Sequence, residues 1–145
     1  MKESRPKDLH ISQALDLASQ AIELDARGEH ADARLSWQQA SDQADEHLVG
    51  EDIYYWIKSG LGAILYDVGD FRRAIEVSDL ALEWCLKIGQ PLPSLTIAKA
   101  YLKLGEGEKA AKYVAQAHRL IGDDVFEQLD PDDRDLMRDR LRRPA

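Results

Sequence analysis

Four histidines, one cysteine and several acidic clusters are the residues of this 145-residue chain with types suited to chemistry. His10, His30, His47 and His118 lie on four separate segments. None has a second histidine four positions away, the spacing that sets two imidazoles on one helix face for zinc, and there is no Cys-x-x-Cys pair. Asp42, Asp45, Glu46 and His47 crowd one stretch that could gather a cation, although a solvated acidic helix end is the simpler reading. Asp130, Asp132 and Asp133 begin like a calcium loop, but Arg134 stands where a third oxygen ligand belongs and the turn glycine is missing. No glycine-rich phosphate loop or nucleophile elbow occurs, and the serines show no histidine–aspartate pattern around them. The sequence therefore predicts a protein that is not an enzyme, with no catalytic, cofactor-binding or metal residues and no cofactor.

Charge narrows the partners. The formal net charge is −8, unevenly spread. Residues 1–50 carry 5 basic and 10 acidic side chains, and residues 51–90 carry 4 and 7. Residues 91–121 reverse the balance with 5 basic and 2 acidic, the former including Lys99, Lys103, Lys109 and Lys112. Phosphate contact needs a basic surface, so nucleic acid is excluded as an expected partner. A basic protein partner suits the acidic remainder, and the bland alternative is that the charge keeps a small protein in solution. No run of about 18 apolar residues occurs, so no membrane span is expected. The N-terminus lacks the apolar stretch of a secretory signal. Cys85 is the one cysteine and has no intrachain disulfide partner. Together these features predict a cytoplasmic protein.

The elements that would position any of these groups are helical. Gly28-Glu29, Gly69-Asp70 and Gly105-Glu106 are each followed by an alanine five residues after the glycine, at Ala33, Ala74 and Ala110. An amphipathic segment flanks each pair on both sides, which reads as helix, tight turn, helix, three times over. The first helix spans about Leu9 to Ala26, with Ile11, Leu15, Ala18 and Ile22 on one stripe and Leu17, Ala21 and Leu24 on a second. The second helix carries Ala33, Trp37, Ala40, Ala44 and Leu48. The third, from Glu51 or Asp52 to Val68, is apolar over more than half its circumference and belongs at the centre. The fourth carries Ala74, Ser78, Ala81, Cys85 and Ile88 on one stripe, which makes Cys85 a buried, unreactive thiol. Gly89-Gln-Pro-Leu-Pro93 breaks the chain, with Pro93 in the first turn of the fifth helix. A sixth helix ends at Gly122, a short apolar link from Val125 to Leu129 follows, and Asp130-Pro131 starts a last helix with Asp130 as its N-cap. The first eight residues read as a loose end.

The in-phase positions resemble the tetratricopeptide repeat, a helical hairpin with a small residue midway along its first helix and alanines in its second. They are Ala21, Leu24, Gly28-Glu29, Ala33 and Ala40; then Leu61-Gly62, Leu65-Tyr66, Gly69-Asp70-Phe71, Ala74 and Ala81-Leu82; then Ile97-Ala98, Tyr101, Gly105-Glu106, Ala110 and Ala117. The resemblance covers residues 14–122. It implies an all-α, right-handed superhelical array of about three helix-turn-helix hairpins plus a C-terminal capping helix. The whole chain, 1–145, then forms one tetratricopeptide-like domain. Its repeat units are about 9–49, 50–89 and 91–122, and the cap about 130–142. The first glycine spacing exceeds the family repeat by about a heptad, which nearly preserves the buried face and calls for longer helices around Ala44 to Ile53. Gly89-Gln-Pro, Lys-Leu-Gly105 and Gly122-Asp-Asp-Val-Phe126 through Asp130-Pro131 also resemble small bacterial members associated with polymorphic toxin and secretion gene clusters, some of which are immunity proteins.

In that family the inner helices line a concave groove. Carried onto this chain, its groove positions are Leu15, Ala18 and Ile22, then Trp56, Ser59, Ala63 and Tyr66, then Leu95, Lys99 and Leu102, with Lys103 beside them. Trp and Tyr are the residues that most often dominate binding energy, while an aromatic at helical spacing is as readily core. Lys99 and Lys103 have two readings, a clamp for a partner carboxylate or solvated charges. The resemblance implies a non-catalytic protein–protein interaction module. Its most specific form is an inhibitor or immunity-type protein for one cognate partner, a basic toxin or secreted protein. The alternatives are a secretion chaperone or adaptor holding a peptide in the groove, and a self-associating scaffold or homodimer.

Overall fold

The computed structural model describes residues 6–143. Of the expected loose end, residues 1–5 lie outside the described residues, while Pro6, Lys7 and Asp8 already belong to the first helix. The described residues form helices only: α1 Pro6–Ala26, α2 His30–His47, α3 Asp52–Asp67, α4 Phe71–Lys87, α5 Leu92–Lys103, α6 Gly107–Ile121, α7 Asp124–Glu127 and α8 Pro131–Arg142. Helices α1 and α2, α3 and α4, and α5 and α6 pack as successive hairpins. This is the all-α hairpin array expected from the three turns.

Each turn closes in the same way. Gly28, Gly69 and Gly105 adopt φ of 79°, 87° and 75°, a region that costs glycine nothing. The amide after each glycine bonds five residues back around the helix end: Glu29 N to Leu24 O, Asp70 N to Leu65 O and Glu106 N to Tyr101 O, all at 2.9 Å. The glycine amides bond Asp25 O, Tyr66 O and Leu102 O. This double bond pattern is the Schellman motif, and it satisfies carbonyls that a helix end otherwise leaves open.

Small residues set the helix spacing. Ala14, Ala18 and Ala21 of α1 and Ala33, Ala40 and Ala44 of α2 are fully buried, so two backbones approach closely. Trp37 fills the wider gap toward α3, its ring lying over Gly60. Gly62 packs against Ser78 of α4 with no room for a side chain. Helix α3 occupies the centre, in contact with α2, α4 and α5, and buries Ile57, Leu61, Ile64 and Leu65. It also absorbs most of the wider first spacing, with 16 residues against 12 in α5.

Two apolar clusters hold the chain. One joins α1 to α4, and the other joins α5 and α6 to Val125, Phe126, Leu129 and Met137 of the tail. The expected apolar link is thus the short helix α7, whose four residues are too few to show a period. Helix α5 begins at Leu92, one residue before Pro93, and Pro93 sits in its first turn as expected. Asp130 precedes α8 but makes no capping hydrogen bond; its carboxylate accepts from Lys103 Nζ at 3.3 Å instead. Ile88 leaves the α4 stripe for the helix end, where it is exposed. Cys85 is buried, and burial pushes its thiol pKa up. No helix among the described residues is long and apolar enough to cross a membrane.

Candidate functional site

The repeat register sorts the inner-helix residues by height along the stack. Leu15, Trp56 and Leu92 each stand thirteen positions before a turn glycine, and each is exposed, at 40%, 38% and 40%. Ile22, Ala63 and Lys99 stand six before it; Ile22 is 49% exposed and the other two are half-buried. Water-facing apolar side chains recurring at one repeat position form a row that the core does not need. Trp56 is fixed within that row: its ring meets Trp37 edge-on at 5.6 Å, leaving the other surface free.

Three groove candidates, Ala18, Ser59 and Leu95, lie elsewhere. Ser59 is buried and its hydroxyl donates to Trp56 O at 2.8 Å. Leu95 belongs to the apolar cluster of the third hairpin with Ala98 and Val114. Both stand ten positions before a glycine, as does fully buried Ala18, so this height faces inward. Leu92 was missed in sequence because the two prolines around it read as a break.

Near the turns the inner face becomes polar. Lys99 Nζ lies 4.6 Å from the centre of the Tyr66 ring, a cation–π contact, and Tyr66 also packs on Phe71. Burial raises the Tyr66 pKa while Lys103 opposes it. Lys103 pairs with Asp130, whose hydrogen bond raises the lysine pKa. Tyr66, Lys99, Leu102 and Lys103 thus face Gln128, Leu129 and Asp130 of this same chain, and the cleft between them keeps only about 10 Å³. The tail supplies the carboxylate that Lys103 would otherwise take from a partner.

Beside this corner three titratable groups from three helices converge. Asp25 near the end of α1, His30 at the start of α2 and Asp67 at the end of α3 bring ligand atoms within 4.8 Å of one another. Asp25 Oδ1 and His30 Nδ1 are 2.6 Å apart. Burial pushes the Asp67 carboxyl above its usual value, Asp25 adds to the push, and Lys99 and His30 oppose it. Nothing in the sequence signals this group, because Asp25 and His30 flank the Gly28 turn while Asp67 stands 42 residues after Asp25, at the Gly69 turn.

The other sequence candidates disperse. Asp42 accepts from Gln38, Asp45 from Lys58, and Glu46 pairs with His47, so the acidic run does not converge. His10 and His47 stack in parallel, with ring centres 3.5 Å apart. His118 pairs with Asp123 at 3.0 Å beside a cleft of about 250 Å³, whose lining holds no Ser, Thr or Cys to serve as a nucleophile.

No protein-family model matches the chain, and no curated protein matches it. Among solved structures it is similar to the C-terminal TPR-containing domain of a Plasmodium falciparum protein named as an FK506-binding protein. The match has a TM-score of 0.72 at 15% identity and covers 95% of this chain and 94% of that one. At that identity the likeness is one of fold: an all-α, tetratricopeptide-like array of helical hairpins.

Proposed function

We propose that this chain is a non-catalytic protein-interaction module whose inner face holds an apolar segment of another protein. The observation that carries this reading is the exposed apolar row of Leu15, Trp56 and Leu92, extended by Ile22. Such a row costs solubility and leaves apolar surface that the core does not cover, so a partner that covers it accounts for its presence. Acidic residues outnumber basic ones over 1–90, which suits basic residues flanking the partner's apolar anchors.

A more specific role as an inhibitor of one basic cognate protein is supported by that charge alone. An adaptor or secretion-chaperone role is supported by the apolar row. A scaffold role would bring two such rows together.

The test is capture from the source cells with the wild-type chain, Trp56→Ala and a control, Leu80→Glu, on the exposed face of α4. A partner retained by the control and lost with Trp56→Ala supports the inner face. A partner held equally by Trp56→Ala overturns it. One stoichiometric, salt-sensitive partner selects the inhibitor role, and several salt-tolerant ones the adaptor role. Recovery of bait alone, with a concentration-dependent dimer in sedimentation, selects the scaffold.

A further inference from the structure

The geometry points to a divalent-cation site of the zinc class formed by Asp25, His30 and Asp67, one that ties the first hairpin to the second. Three observations meet there. The donor atoms come from three helices yet lie within 4.8 Å of one another. The set mixes one imidazole with two carboxylates, which suits a borderline cation such as Zn²⁺ and not Mg²⁺ or Ca²⁺, which favour oxygen alone. The C-terminal ends of α1 and α3 bring their negative dipole ends to the place, against the single positive end of α2.

An ion pair accounts for only part of this arrangement. His30 already faces Asp25 at 2.6 Å. Asp67 adds a second carboxylate with no hydrogen bond of its own among the described residues, and it repels Asp25. A dication would neutralise both carboxylates at once. Ligands at about 2.0–2.1 Å from tetrahedral zinc sit roughly 3.3 Å apart, so the Asp25–His30 pair opens slightly from 2.6 Å and the Asp67 carboxylate closes by at most about 1.5 Å. The side chains of Asp25 and His30 are 42% and 49% exposed, and their outer atoms are free to make that movement. Three protein ligands leave a fourth position for water or a partner's donor. The mechanical consequence follows from packing: α1 makes no substantial contact with α3, so a bridge from Asp25 to Asp67 braces a junction that otherwise rests on α2.

The test uses the full chain stripped with EDTA and desalted, then titrated with ZnCl₂ and in parallel with MgCl₂. Calorimetry reads affinity and thermal melting reads the stabilisation that ligand binding confers on the folded state. His30→Ala and Asp67→Asn are compared with His118→Ala, which removes a different exposed His–Asp pair, and far-UV circular dichroism verifies folding. The expected result is one equivalent of Zn²⁺, weakened at least about tenfold by His30→Ala and by Asp67→Asn and unchanged by His118→Ala, with no response to Mg²⁺. No heat and no melting shift at about 1 mM Zn²⁺, a concentration that detects even millimolar affinity, would overturn the site. So would equal Zn²⁺ affinity in the His30 and Asp67 variants.

Discussion

Lys58 of α3 reaches back into α2, where its Nζ lies 2.7 Å from Asp45 Oδ1 and 2.6 Å from Ser41 Oγ while its side chain is 4% exposed. The ammonium also lies 5.1 Å from the centre of the Tyr54 ring. A buried charge in a helical stack fixes register more than it adds stability, because desolvation offsets most of the attraction. Here it locks the first hairpin to the second at one height.

Shape and charge at this position therefore separate experimentally. Lys58→Met keeps the volume and removes the charge, and is expected to cost less than about 1.5 kcal/mol. Lys58→Ala opens a cavity and is expected to cost about 2–4 kcal/mol. Urea unfolding of both variants checks the order. Equal losses would show that the charge, and not the packed stem, carries the contact.

Gly62 has no space for a methyl group. An added Cβ would overlap the Ser78 hydroxyl and stand 3.2 Å from the Ser78 backbone nitrogen, which cannot rotate away. Gly62→Ala is expected to destabilise by about 1–3 kcal/mol. Ser78→Ala in the same chain removes the hydroxyl and should recover only part of the loss. Melting temperatures of the single and double variants read this directly.

The Asp67 carboxyl titrates above its usual 3.8, pushed mainly by burial and by Asp25. A carboxyl with a raised folded pKa holds its proton more tightly when folded. Its contribution is therefore most favourable below the unfolded value and is lost as pH rises through the folded one. In metal-free protein, Asp67→Asn should melt higher than wild type at pH 7, and the gap should narrow as pH falls toward 3.8. If the zinc-class site forms, added Zn²⁺ narrows or reverses the gap at pH 7, because the variant lacks a ligand.

Trp56 separates binding from folding. The residue is 38% exposed and its ring meets Trp37 edge-on. Trp56→Ala should lower the melting temperature modestly while weakening a groove partner by about 2 kcal/mol or more. Leu92→Ala, at the equivalent position of the third hairpin, should weaken the same partner with less effect on melting. Isothermal titration with the captured partner measures both.

Much of the architecture was legible because it is periodic. The Gly-acid pair and the alanine five residues after the glycine recur three times, and each recurrence became a Schellman turn with the same hydrogen bonds. Exposure within the register was harder to read. Leu15 and Leu95 are the same residue type, three positions apart in register, yet one meets water and the other is core. The difference comes from the height in the stack: ten positions before a turn glycine, Ala18, Ser59 and Leu95 all face inward, while thirteen before it Leu15, Trp56 and Leu92 all meet water, and only the packing of the hairpins separates the two heights.

The sequence by itself determined the helices, their turns and the order of the hairpins, since these follow from local periodicity, backbone freedom at glycine and the spacing of small residues. Only the tertiary structure decided which charges meet. Lys103 is paired with Asp130, and Asp25, His30 and Asp67 are gathered from three helices. Electrostatic neighbours are set by how helices stack in space, and separation along the chain carries no record of it.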